Sequence, residues 1–136
     1  FDKKTLPGGG IVPRDGLGRW SMTLEKPWGS EDDWLATERF VMGKFLVREG
    51  ERTSLHLHEG QSHFWFVESG NGELLLEEEK FLIGPGDSIY IDVGELHRLS
   101  AMVGDMDVFT VTAGLIDPAD VVRFEDDYGR TNEGID

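Results

Sequence analysis

The sequence predicts an all-β protein, an antiparallel sandwich or barrel, on three observations. Apolar runs are short and recur about every ten residues. Gly-rich turns separate them, and no stretch before residue 117 repeats its apolar residues at helical spacing. Residues 1–19 carry Leu6-Pro7-Gly8-Gly9-Gly10, Pro13, Gly16 and Gly18, so an irregular N-terminal arm is expected there. The barrel is expected over residues 20–115. Its first clear strand is 39–47, closed by Glu49-Gly50-Glu51, and 53–58 follows. The run 63–68 ends at Ser69-Gly70-Asn71-Gly72, where Asn71-Gly72 is a strong hairpin signal. Runs 73–76 and 80–83 lead to the turn Gly84-Pro85-Gly86-Asp87, and 88–93, 97–102 and 107–112 complete the set. Residues 116–136 are expected to form a C-terminal tail. It opens with a short helical turn, with Asp117 as N-cap and Pro118 at the first helical position.

A chain of 136 residues, 38% of them apolar, suits one domain with one core. No apolar run approaches the roughly 20 residues that a spanning helix needs. The opening Phe1-Asp2-Lys3-Lys4 lacks the apolar stretch of a secretory signal, so a cytoplasmic location is expected. The 27 acidic and 13 basic residues leave a net charge of −14, which argues against nucleic acid and anionic membrane as partners. There is no cysteine, so any metal must be held by histidine or carboxylate.

The chain has four histidines, and they form one constellation. His56 and His58 stand at i and i+2, the spacing that puts both side chains on one face of a strand. His63 follows a short Glu59-Gly60-Gln61 bend, and His97 opens a later strand. Neutral imidazoles converging in an apolar pocket suit one divalent transition metal: zinc, manganese, iron, nickel or cobalt. Read one at a time, the same residues are polar strand positions facing water.

Gly50-x5-His56-x-His58-x4-His63-x6-Gly70 resembles the first cupin motif, and Gly86-x5-Asp92-x-Gly94-x2-His97 resembles the second. The first motif usually has Glu where His63 stands, and the second has Pro where Asp92 stands. The resemblance implies a double-stranded jelly-roll barrel with a metal inside. A narrower resemblance rests on Lys26-Pro27-Trp28-Gly29, Gly50-Glu51-Arg52-Thr53-Ser54-Leu55, Gly94-Glu95-Leu96-His97-Arg98-Leu99 and the tail from Asp120 through Phe124-Glu125-Asp126-Asp127-Tyr128-Gly129-Arg130. These segments are similar to the cupin domain of type II mannose-6-phosphate isomerases. That domain follows a guanylyltransferase domain in the larger members of the family.

What the resemblance implies is a metal-dependent enzyme of a sugar or sugar phosphate, most simply an aldose–ketose isomerase. The proton-transfer base would come from outside the histidines, and Glu68, Tyr90, Asp92 and Glu95 are near them in sequence. A phosphate would want Lys26, Arg52, Arg98 or Arg130, with Arg130 reaching the pocket mouth. Arg52 and Arg98 read equally well as strand residues paired with carboxylates. Among Trp20, Trp28, Trp34 and Trp65, the last shares the face of His63 and is the expected pocket wall for a sugar. An all-nitrogen metal shell also suits a non-haem oxygenase of a small organic substrate, and a non-catalytic sugar-binding barrel is the third reading. Cupins commonly pair through their sheets, so a homodimer is expected.

Overall fold

A computed structural model describes residues 3–5, 11–13 and 22–130. Lys3–Thr5 (β1) pairs antiparallel with Ile11–Pro13 (β2), so the segment expected to be irregular holds a small ladder. The main body comprises Met22–Lys26 (β3), Gly29–Ala36 (β4), Phe40–Val47 (β5), Leu55–Leu57 (β6), Gln61–Leu76 (β7), Glu79–Ile83 (β8), Ser88–Ile91 (β9), His97–Gly114 (β10) and Val122–Glu125 (β11). Among the described residues there is no helix, and hence none long and apolar enough to cross a membrane.

Two long strands, β7 and β10, pair with each other along their length and bend together. Their bend divides the ladder into two walls. One runs β3-β4-β5, then the second half of β10, the first half of β7, and β9. The other runs β11-β6, then the first half of β10, the second half of β7, and β8. Sharing two bent strands between facing walls is the jelly-roll solution to closing a sheet. The space between the walls holds Trp28, Phe45, Val47, Trp65, Val67, Leu74, Ile91, Leu99, Met106 and Val108, all buried.

Two expectations are corrected. Asn71-Gly72 is not a hairpin, because Gln61–Leu76 is one continuous strand of 16 residues. The glycines serve the bend: Gly70 has φ +83°, and a Cβ there would run into the carbonyl of Asp105 on the partner strand. Register shifts in β10 between Ala101 and Val108 absorb the same corner. The hairpin lies instead at Glu77-Glu78, where Glu77 takes φ 55°. The tail does not open with a helix either. Asp117 turns the chain by accepting from the Ala119 amide, and β11 then adds to the edge of β6, where its backbone groups find ladder partners.

Candidate metal centre and its cavity

His56 lies on β6 and is the direct cross-strand partner of His97, the first residue of β10. His58 sits just beyond β6, and His63 lies on β7. Ring centroids of His56 and His97 are 4.3 Å apart, His56 and His58 5.0 Å, and His58 and His63 4.8 Å. One ring nitrogen from each of His56, His58 and His97 lies within 4.8 Å of the others, and His63 flanks this group.

What these rings can do is fixed by their outer nitrogens. His56 donates its Nδ1–H to the Ser54 carbonyl at 2.9 Å, His97 donates to the Glu95 carbonyl at 2.9 Å, and His58 donates to the Asp120 carbonyl. A carbonyl is acceptor-only, so it selects the Nδ1–H tautomer and makes Nε2 the unprotonated nitrogen. His63 Nδ1 meets the Thr112 hydroxyl at 2.9 Å, which orients that ring the same way. The Nε2 of His97, 1% exposed, has no hydrogen-bond partner. Burial, then the neighbouring His56 imidazole, holds the His97 ring well below its ordinary pKa. A neutral imidazole with an aimed lone pair is the form a metal takes. His56, His58 and His97 therefore fit a single divalent transition ion, with His63 beside them.

The cluster lines a cavity of about 630 Å³. Its floor is an aromatic series: Trp28 edge-on to Phe45 at 6.0 Å, Phe45 edge-on to Trp65 at 5.0 Å, and Trp65 against His97 at 5.8 Å. Alternation along β7 turns His63, Trp65 and Val67 inward and leaves Phe64, Phe66 and Glu68 outside. The buried Trp28 Nε1–H lacks an acceptor among the described residues.

The sequence-based site residues scatter. Lys26, Trp65 and Arg130 line the cavity with the four histidines. Glu68 is exposed on the opposite face of β7, and Tyr90, 58% exposed, stands beside outward-facing Phe64. Asp92 and Glu95 close their own turn, Glu95 accepting from the Asp92 amide at 2.7 Å. Arg52 reaches away to Asp127 in a two-bond fork of 2.8 and 2.9 Å. Arg98 is buried, with Nε on the Thr53 carbonyl and its other nitrogens on the side chain and carbonyl of Glu125.

These contacts explain the tail. Glu125 holds Arg98, Asp127 holds Arg52, and Tyr128 donates to Glu51. Burial and the Glu51 carboxylate push the Tyr128 phenol up to about 12. Asp126 receives the Arg130 amide at 2.5 Å and two guanidinium bonds at 2.9 and 3.0 Å. The guanidinium sits 5.5 Å from the Tyr128 ring. Arg130 thus reaches the cavity already clamped.

Sequence reasoning passed over Glu31 and Asp33, which line the cavity from β4. Burial raises the Asp33 carboxyl above its ordinary value, against a hydrogen bond with Glu31 and the charge of Lys26. The available signal was their i, i+2 spacing behind Trp28-Gly29, on a strand whose charges hid it.

A model of the family described as "Mannose-6-phosphate isomerase C-terminal" matches residues 16–126. Among curated proteins, "Xanthan biosynthesis protein XanB" of Xanthomonas campestris is 34% identical over 114 residues, 82% of this chain and 24% of that protein. "Mannose-1-phosphate guanylyltransferase ManC" of Salmonella typhimurium is 36% identical over 107 residues, 77% of this chain and 22% of that protein. The chain therefore spans about a quarter of the length of these relatives. Among solved structures, the capsular polysaccharide assembling protein CapF from Staphylococcus aureus superposes with a TM-score of 0.68 at 18% identity, over 77% of this chain and 34% of that one. With the bent-strand barrel and its matched motifs, this places the chain in the mannose-6-phosphate isomerase C-terminal family of cupin domains.

Proposed function

We propose that the domain is a metal-dependent enzyme acting on a sugar or sugar phosphate, interconverting an aldose and a ketose. The observation that carries this reading is the set of imidazoles whose Nδ1 atoms are all engaged by oxygen, which directs the Nε2 atoms into one cavity beside an aromatic floor. His56, His58 and His97 would hold the ion, with His63 as fourth ligand. When bound, a divalent ion polarises carbonyl and hydroxyl oxygens. Trp65 offers its ring to the apolar face of a sugar. A phosphate would meet Lys26 and the Asp126-clamped Arg130, since Arg52 and Arg98 are spent on the tail. The test is hydrogen exchange: metal-loaded protein with mannose 6-phosphate or fructose 6-phosphate in deuterated water should place deuterium at C2 or C1 by NMR. Its absence with zinc, manganese, iron, nickel and cobalt alike would defeat the assignment.

One observation favours a second reading. The metal-holding group among the described residues contains histidines and no carboxylate. Imidazole ligands also suit redox-active iron, and the second reading is a non-haem oxygenase that would consume oxygen with an organic substrate under iron loading. For assembly, we propose that a second copy covers the outward face of β7 and β9, where Phe64, Phe66 and Tyr90 are exposed. A dimer mass in light scattering, lost on Phe66→Glu, tests it.

A further inference from the structure

We propose that Asp120 is a positioning residue of the metal centre: its carboxylate and its backbone carbonyl together fix His58 and the bend that carries it, so that docking of the tail and binding of the metal stabilise each other. This rests on the reading above that the histidines hold a divalent ion, and not on which reaction follows.

The four histidines are not oriented alike. His56 and His97 each donate to a carbonyl two residues back in their own stretch of chain, Ser54 and Glu95. His63 meets Thr112, its direct partner in the β7–β10 ladder. Those supports are local or belong to the ladder. His58 differs, because it lies past the end of β6 and its Nδ1 partner is the carbonyl of Asp120, 62 positions away in the tail. A ring outside the ladder depends on that acceptor for its orientation.

A backbone carbonyl stays where its residue is held, and here the side chain does the holding. Asp120 Oδ1 accepts from the Glu59 amide at 2.7 Å, and Oδ2 accepts from the Gly60 amide at 2.8 Å. Bonds from amides to a carboxylate are among the stronger hydrogen bonds. Both donors belong to the bend between His58 and β7, so one residue grips the bend and the ring together. A Cβ at Gly60 would stand 3.3 Å from Asp120 Oδ2, so the fork sits tight against the bend. The turn Asp117-Pro118-Ala119-Asp120 presents the residue, closed by the Asp120 amide on the Asp117 carbonyl at 3.0 Å. Pro118 at its second position presets the φ that such a turn needs. Two residues on, Val122 pairs with Leu57 and Arg123 with His56, so the tail braces the strand that leads into His58. Nitrogens of His56, His58 and His97 must gather within a few ångströms for one ion, and His58 is the member whose place the tail decides. Coupling of this kind is reciprocal: an ion that needs His58 in place must in turn hold the tail down.

The probe is cobalt(II), titrated into the metal-free chain and read by its visible absorption bands. Asp120→Ala should weaken cobalt binding at least about tenfold and change the visible spectrum. Asp120→Asn keeps one acceptor oxygen and should fall between wild type and Asp120→Ala. Asp127→Ala is the control: it releases Arg52 in the same tail and should leave affinity and spectrum unchanged. In wild type, cobalt should slow hydrogen exchange at the Glu59 and Gly60 amides, and that slowing should vanish in Asp120→Ala. If Asp120→Ala does not fold, the same comparison is read on Asp120→Asn. Wild-type affinity and spectrum in the Asp120 variants overturn the proposal. An equal loss in Asp127→Ala overturns it too, since any loosening of the tail would then do the same. If wild type itself binds neither cobalt nor zinc, the metal reading has failed and the positioning role falls with it.

Discussion

Removing the Asp126 carboxylate should destabilise the protein by about 2–3 kcal/mol, more than its place near the end of the described chain suggests. Its side chain is fully covered and takes three bonds from Arg130, whose side chain is 11% exposed. Breaking a buried ion pair from one side costs about 3–5 kcal/mol, because the remaining charge is stranded. Partial access of Arg130 to the cavity and its contact with Tyr128 recover part of that. For a domain of this size the remainder corresponds to a fall of roughly 8–12 °C in melting temperature. Circular dichroism of Asp126→Ala against wild type measures it. The pH dependence carries the sign. Burial opposes the Asp126 charge, yet the Arg130 bonds outweigh it and hold the folded pKa below the ordinary carboxylate value. The stabilisation is therefore complete above the unfolded value of about 3.9 and is lost as pH falls through the folded one. The gap between the two proteins should stay level from neutral pH down to mild acid and close only below that. A difference under about 2 °C at neutral pH, or a gap that widens in acid, would refute the clamp.

His97→Ala should abolish stoichiometric metal, and saturating metal at about a hundredfold over Kd should stabilise wild type by about 2.7 kcal/mol; melting with and without chelator, beside metal analysis, checks both. Gly70→Ala should lower the unfolding free energy by about 2 kcal/mol or more, since the added Cβ meets the Asp105 carbonyl at φ +83°; an unchanged denaturant midpoint would mean that the β7 bend is not where the strain lies. Arg98→Ala should cost about 3 kcal/mol and Arg52→Ala under about 1, because Arg98 is buried whereas the side chain of Arg52 is 44% exposed; equal losses in urea unfolding would contradict the assignment. Metal-free protein should lose stability as pH drops below the unfolded histidine value of about 6.5, because burial and then His56 depress the folded pKa of His97; a flat profile there would count against a buried neutral cluster.

The sequence by itself singled out the histidines by motif spacing, and it determined the strand texture and the all-β class, because period-two alternation and turn chemistry are local. His63, Trp65 and Val67 fall on one buried face for that reason alone. It also carried the tail motif, though not its purpose. Only the tertiary structure decided that Asn71-Gly72 bends one strand instead of ending it, since the need for glycine comes from the Asp105 carbonyl of a partner strand. Only the fold decided that Arg52 and Arg98 clasp Asp127 and Glu125, residues 75 and 27 positions away. The same holds for the acids. Sequence proximity to the histidines nominated Glu68 and Tyr90, but adjacent residues of a strand point to opposite faces. Glu31 and Asp33, more than twenty residues upstream of His56, reach the cavity because β4 follows β5 in the wall that curls over it.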